Sequence, residues 1–192
     1  MLKSLGVDMG PSVDDQSNPQ GSNEDVDFAK LHKDIFDMTG DGKEYWAPPS
    51  REAILELAPK LDPIIPALIA EKGKGKAFWG WKHTRTLLTY ELFLPHLVNP
   101  HFVLVFRNFL GTALSAVEHT RRRRNPVDFS QALRLVHFYH GEMLRFVEDH
   151  PEIPTHFVSY EDVVLKPLDE AQKLARFLGI AVTDETAREI TA

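Results

Sequence analysis

An arginine and a serine follow the clearest predicted strand of this chain, at positions where they could bind an anion. The run HFVLVF, residues 101–106, is continuously apolar with β-branched and aromatic side chains, which is typical of a parallel strand covered on both faces. Arg107 comes directly after this run, and Ser115 lies eight residues further on, in a predicted helix. A guanidinium and a hydroxyl at the carboxyl end of a strand suit a phosphate or sulfate group.

A second group of polar residues follows another apolar run. AFWGW, residues 77–81, is short and dense in aromatic residues, which predicts a buried strand. Lys82, His83 and Arg85 come directly after it. Because the carboxyl ends of parallel strands share one edge of a sheet, we expect these side chains to lie at the same edge as Arg107. Two strand ends that deliver cations predict an anion site.

The elements that must position these residues alternate between strands and helices. A third strand is predicted over residues 155–160, and its last residue, Tyr160, is expected with Glu161 and Asp162 to cap the next helix and brace the sheet edge. Apolar spacing, caps and proline positions predict helices over residues 23–36, 51–59, 63–73, 84–94, 112–119, 126–146 and 167–178. This order predicts an α/β fold of three layers, a parallel sheet flanked by helices.

Composition limits the classes of function. The chain has 192 residues, of which 43% are hydrophobic, enough for one substantial core, so we predict a single domain over residues 1–192. A formal net charge of −6 argues against a dedicated nucleic-acid coat. The absence of cysteine excludes disulfides, thiolate metal sites and cysteine nucleophiles, and favours the cytoplasm. No apolar stretch approaches the length of a membrane span, and no metal site is predicted.

The order of several segments resembles a known enzyme family. NPHFVLVFRNFLGTALS is similar to the segment in which sulfotransferases place a strand, an arginine, and a serine eight residues after it. WGWKHTR and VSYEDVVLKPLDEAQKLARFLGI are similar to the W-K-D-P-R strand end and the Y-E-D-L segment of the bacterial members. NPQGSNEDVDFAKLH is similar to their N-P-x-G segment and its following acidic residues. Phe109 stands where the family usually has proline, which alters the turn but removes no ligand.

This resemblance implies a P-loop-like fold and transfer of a sulfonate group from 3′-phosphoadenylyl sulfate (PAPS) to a hydroxyl or amine. Arg107 and Ser115 would bind the 3′-phosphate of the nucleotide, with Arg85 either supporting the nucleotide or serving packing. Lys82 would stabilise charge on the oxygen between sulfur and phosphorus. The resemblance implies a carbohydrate or small-molecule acceptor, and it leaves His83 and Glu24 as alternative catalytic bases.

One family feature is not found in the sequence. Sulfotransferases begin with a strand and a Gly-, Ser- and Thr-rich loop that holds the 5′-phosphosulfate, and we expect this chain to be a fragment truncated before residue 1. Residues 1–7 are interpreted as the end of an amphipathic helix. Two alternatives stay open: a non-catalytic binding protein with the same fold, and a nucleotide kinase of related architecture, which would need a G-x-x-x-x-G-K-[ST] loop.

Overall fold

The computed structural model describes residues 1–12, 23–40, 47–122 and 126–191. The N-P-x-G segment, residues 18–21, therefore lies outside the described residues. In chain order the helices and strands are α1 (Val26–Met38), α2 (Arg51–Leu55), α3 (Ala58–Leu61), α4 (Ile65–Gly73), α5 (Thr86–Phe93), β1 (Phe102–Phe106), α6 (Phe109–Arg122), α7 (Phe129–Asp149), β2 (Thr155–Ser159), α8 (Tyr160–Leu165), α9 (Pro167–Leu178) and α10 (Asp184–Thr191).

The α/β prediction is confirmed by a parallel sheet with helices on both faces. Strands β1 and β2 pair in parallel, with Phe106 opposite Ser159 at the carboxyl end. On one face, Leu104 packs in a core with Phe146 of α7. On the other face, Val103 packs in a core with Leu174 of α9. The sheet is therefore the middle layer of three, as the apolar character of both strand faces predicts.

Helices α1 to α5 form a second core beside the sheet. The sides of α1 to α5 that face one another bury Phe28, Ile35, Ile54, Leu61 and Phe93, each at 1% exposure or less. Side chains that recur every three or four residues produce this continuous stripe on α1. This packing fixes the beginning of α1 against the segment that leads into α5.

The predicted strand over residues 77–81 is wrong. Its backbone makes an isolated parallel bridge between Trp79 and Asp8, closed by hydrogen bonds from Asp8 N to Phe78 O and from Gly80 N to Asp8 O. The aromatic side chains are packed by stacking instead: the ring of Trp81 lies 4.1 Å from the ring of Phe28, at 7° to it. An aromatic cluster against a helix produces the same apolar run as a buried strand, so composition alone does not distinguish them.

Several further boundaries differ from the sequence-based predictions. The helix predicted over residues 51–59 is two short helices, α2 and α3. Residues 2–6 form turns, with Leu5 N bonded to Met1 O, and Leu5 is buried in the core of α9. Helix α6 begins at Phe109 instead of residue 112, because the Asn108 side chain caps it by accepting from Gly111 N. The segment after β2 forms the short helix α8, with Ser159 as its cap. Within the described ranges, no helix is both long and apolar enough to cross a bilayer.

Candidate functional site

The carboxyl end of the sheet places Arg107 between two helices. Its guanidinium carbon lies 4.6 Å above the centre of the Tyr160 ring, a cation–π contact with the first residue of α8. The same side chain runs past Gly111 in the first turn of α6, where an added Cβ would lie 3.4 Å from Arg107 Nε. Gly111 therefore leaves room for the guanidinium beside α6.

Ser115 lies on the face of α6 that Arg107 follows. Ser115 comes four positions after Gly111, so the two residues are neighbours on one side of the helix. Ser115 is exposed, and its hydroxyl is open to a ligand. The predicted pair thus consists of a guanidinium held at the first turn of α6 and a hydroxyl one turn further along. We call Arg107 and Ser115 the α6 pair.

A carboxylate that follows β2 ties the ends of the two strands together. Glu161 Oε1 accepts a hydrogen bond of 2.9 Å from the backbone N–H of Asn108. This hydrogen bond, with smaller contributions that include the charge of Arg107, lowers the pKa of Glu161. Glu161 therefore braces the turn after β1, as predicted. The predicted capping role of Tyr160, Glu161 and Asp162 is wrong, because these residues form the first turn of α8, which Ser159 caps.

The second group of predicted residues meets at the beginning of α1. Lys82 Nζ lies 3.1 Å from Glu24 Oε1, and His83 Nε2 lies 3.8 Å from Glu24 Oε2. Glu24 and His83 are mostly buried, whereas 53% of the Lys82 side chain is exposed. The fold thus brings together the two alternative bases and the lysine that the sequence singled out. We call these three residues the Glu24 cluster.

The hydrogen bonds of His83 fix which ring nitrogen carries its proton. Burial, followed by the charges of Arg85 and Lys82, lowers the pKa of His83 to about 4, so the ring is neutral at pH 7. His83 Nδ1 accepts a hydrogen bond of 3.2 Å from the backbone N–H of Arg85. The proton of the neutral ring is therefore on Nε2, which points towards Glu24. In this arrangement His83 offers the cluster a donor, and Glu24 offers an acceptor.

A buried histidine that sequence reasoning missed, His32, packs against His83. The ring of His32, on α1, stacks on the ring of His83 with centroids 4.4 Å apart. His32 Nδ1 donates to Phe28 O at 2.7 Å, and His32 Nε2 accepts from the Thr86 hydroxyl at 3.0 Å. Trp81 Nε1 donates in turn to that hydroxyl at 2.9 Å. Both nitrogens of His32 are satisfied in the neutral ring, and burial lowers its pKa to about 3.

The signal for His32 in the sequence is its place on the apolar stripe of α1. Phe28 and Ile35 flank it at helical spacing, and a polar ring on such a stripe is buried with the rest. Arg85 makes a packing contact with α1, one of the two roles expected for it. Its guanidinium carbon lies 4.2 Å above the Phe36 ring of α1, and this contact serves packing. Binding of the nucleotide by Arg85 stays a prediction.

No metal centre is formed by the described residues, in which no group of three or more histidine, aspartate or glutamate side chains could hold an ion. The described residues instead place a guanidinium and an exposed hydroxyl at the sheet, and a carboxylate with a lysine and a neutral histidine at the start of α1.

No curated protein matches the chain. Among solved structures, the chain is similar to the sulfotransferase domain from the curacin biosynthetic pathway, with a TM-score of 0.53 and 16% sequence identity, which supports a shared fold. The match covers 81% of this chain and 56% of that structure, so the chain spans little more than half of its relative. The profile of the sulfotransferase family matches residues 17–184. With the greater part of the chain inside that match, this protein belongs to the sulfotransferase family.

Proposed function

We propose that this protein transfers a sulfonate group from PAPS to a hydroxyl or amine of a carbohydrate or small-molecule acceptor. The observation that carries the proposal is the α6 pair: Arg107 lies beside Gly111, and Ser115 lies one turn along the same face of α6. A guanidinium binds phosphate through several N–H donors at once, and a hydroxyl adds one more. The 3′-phosphate of PAPS fits this pair in charge and in donor number.

The Glu24 cluster supports the second half of the reaction. An acceptor O–H or N–H must lose its proton as the acceptor atom forms a bond to sulfur. Because the acceptor nitrogen of His83 is already bonded to Arg85 N, we assign the base to Glu24. The proton then moves to the Glu24 carboxylate while the bond between sulfur and the phosphate oxygen breaks. The leaving group is adenosine 3′,5′-bisphosphate (PAP).

Lys82 and His83 then have electrostatic and orienting roles. The ammonium of Lys82 is 3.1 Å from Glu24 and is half exposed, so it can also face the negative charge that develops on the departing phosphate oxygen. The Nε2–H of His83 points towards Glu24 and orients its carboxylate. Alignment of acceptor and donor supplies much of the rate enhancement in such transfers.

A transfer assay with ³⁵S-labelled PAPS and a panel of sugars, phenols and amines tests the proposal. Replacing the base, Glu24→Gln, is expected to lower turnover by about 10²- to 10⁴-fold, the usual effect of losing a general base. Glu148→Gln, at an exposed position on α7, is the matched control and should transfer as the parent does. Equal turnover by both variants would show that Glu24 is not the base.

The same assay separates the enzyme from the non-catalytic alternative. A protein that binds PAP but transfers no label to any acceptor in the panel would be a binding protein with the sulfotransferase fold. Labelled product that appears with one acceptor class identifies that class. The kinase alternative requires ATP to bind more tightly than PAP, which a direct comparison of the two nucleotides decides.

A further inference from the structure

A buried ion pair at the start of α1 has no part in the chemistry described so far. Lys72 Nζ, in the last turn of α4, lies 2.8 Å from Asp25 Oδ2 and 2.5 Å from Asp27 Oδ2. The side chains of Lys72 and Asp25 are 11% and 1% exposed. Removing two charges from water to this extent costs free energy that their attraction does not reliably return. Such a pair is therefore poorly explained by stability alone.

Asp25 joins this ion pair to the backbone that carries Glu24. It is the N-cap of α1, and its Oδ1 accepts from the backbone N–H groups of Asp27 and Phe28 at 2.9 and 3.2 Å. Its other oxygen faces Lys72 and lies against Gly10, where an added Cβ would be only 1.8 Å away. The residue immediately before this cap is Glu24. Both oxygens of Asp25 are thus held, and the direction in which the chain enters α1 is fixed.

The end of α4 also contacts the segment that carries Lys82 and His83, the other two residues of the Glu24 cluster. Gly73, next to Lys72, lies under the indole of Trp79, and an added Cβ there would be 2.8 Å from Trp79 Nε1. Trp79 begins the short segment that ends in Lys82 and His83. One helix end therefore contacts both the residue that caps α1 and the segment that carries Lys82 and His83.

We propose that Lys72 is a positioning residue, which holds the Glu24 carboxylate against His83 and Lys82 through the cap of α1. The consequence for catalysis rests on the proposed role of Glu24 as base. Lys72 itself touches neither the acceptor nor the donor in this account. Its effect on the reaction must therefore pass through Glu24, and that dependence can be measured.

A double-mutant cycle on turnover measures this dependence. Lys72→Met is expected to lower kcat by about 10- to 100-fold, as displacement of a catalytic group by an ångström does. In a Glu24→Gln background the same change should lower kcat less than about 2-fold, because the group it positions is gone. Lys76→Met is the matched control, since Lys76 pairs with Asp8 at a more exposed site, and it should leave kcat unchanged. Equal losses in the two backgrounds would overturn the proposal.

A spectroscopic version of the cycle does not depend on activity. The ¹⁵N shift of His83 Nε2 reports the carboxylate 3.8 Å away, so Lys72→Met should shift it in the same direction as Glu24→Gln does. The double variant should show no further shift. A His83 signal unchanged by Lys72→Met would contradict the inference even if the protein transfers no sulfonate. If sulfonate transfer is not found, the proposed function fails, and this signal still decides the role of Lys72.

A second variant covers the case in which Lys72→Met does not fold. Asp25→Asn keeps an oxygen that can cap α1 but removes the charge that Lys72 binds. Asp25→Asn is expected to displace the His83 signal as Lys72→Met would. Asp27→Asn leaves the buried pair of Lys72 and Asp25 intact, so it should displace the signal less. Equal shifts from the two asparagine variants would count against a specific role for the buried pair.

Discussion

At the scale of single residues, His32 and His83 form a stacked pair of neutral rings beside Glu24. Burial is the main cause that lowers the pKa of both rings, to about 3 for His32 and about 4 for His83. An ordinary histidine titrates near pH 6.5, so both rings lack a proton that the unfolded chain would carry in mildly acid solution. This difference links the stability of the protein to pH.

The linkage predicts that the free energy of unfolding falls as the pH is lowered through this window. Between pH 6.5 and the folded pKa values the unfolded chain binds more protons, so acid favours unfolding. From pH 7 to pH 5, each of the two histidines should contribute a loss of about 2 kcal/mol. Urea unfolding at the two pH values measures the loss.

The variant His32→Gln should be less stable than the parent at pH 7 and should lose about 2 kcal/mol less on going to pH 5. His137→Gln, on the exposed side of α7, is the control and should keep the parent's pH dependence. If His32→Gln and the parent lose the same stability, His32 is not a neutral buried ring in the folded state.

At this scale, sequence reasoning identified which residue types could act but not how they pair. Lys82, His83 and Glu24 are candidates from the sequence, and the structure places them in one cluster. The proton position on His83 depends on the turn that brings Arg85 N to its Nδ1. Side-chain contacts of this kind are set by tertiary packing, which the spacing of residues along the chain does not contain.

At the scale of elements, helix caps determine where the long helices begin. Asp128 caps α7 in a reciprocal box: its side chain accepts from Gln131 N, and the Gln131 side chain accepts from Asp128 N. Helix α7 supplies Phe146 and Val136 to two of the cores, so its first turn stabilises a large part of the molecule. Such caps are a measurable part of helix stability.

Replacing this cap, Asp128→Ala, is expected to lower Tm by about 2–4 °C, because the first N–H groups of α7 lose their acceptor. Asp149→Ala, at the other end of the same helix, is the control. It should leave Tm the same or raise it slightly, since a carboxylate near a helix C-terminus opposes the helix dipole. Thermal unfolding followed by circular dichroism measures both, and equal falls would argue against the cap.

Most elements could be predicted because caps, prolines and apolar spacing act locally. Helix α9 begins at Pro167 and ends before Gly179, whose φ of 68° is left-handed, as its sequence predicts. The strand predicted over residues 77–81 failed because its apolar residues pack against α1 rather than into the sheet. Whether an aromatic run pairs with a strand or stacks on a helix is decided by distant residues.

At the scale of the whole molecule, the site is divided between the sheet and the helical core. The α6 pair depends on the parallel alignment of β1 with β2, which brings Arg107 to Tyr160. The Glu24 cluster depends on the packing of α1 against the segment before α5. In the proposed reaction the α6 pair binds the donor nucleotide and the Glu24 cluster activates the acceptor. The two halves can therefore be tested separately.

The most direct test of the account is the affinity of the protein for PAP and for adenosine 5′-phosphate, which lacks the 3′-phosphate, measured by isothermal titration calorimetry. The protein should prefer PAP, and Arg107→Gln should weaken PAP binding by about 30-fold or more, since it removes a charged partner of the phosphate. Arg134→Gln, at an exposed position on α7, should bind PAP as the parent does. Equal affinity of the parent for the two nucleotides, or unchanged PAP binding by Arg107→Gln, would contradict the account.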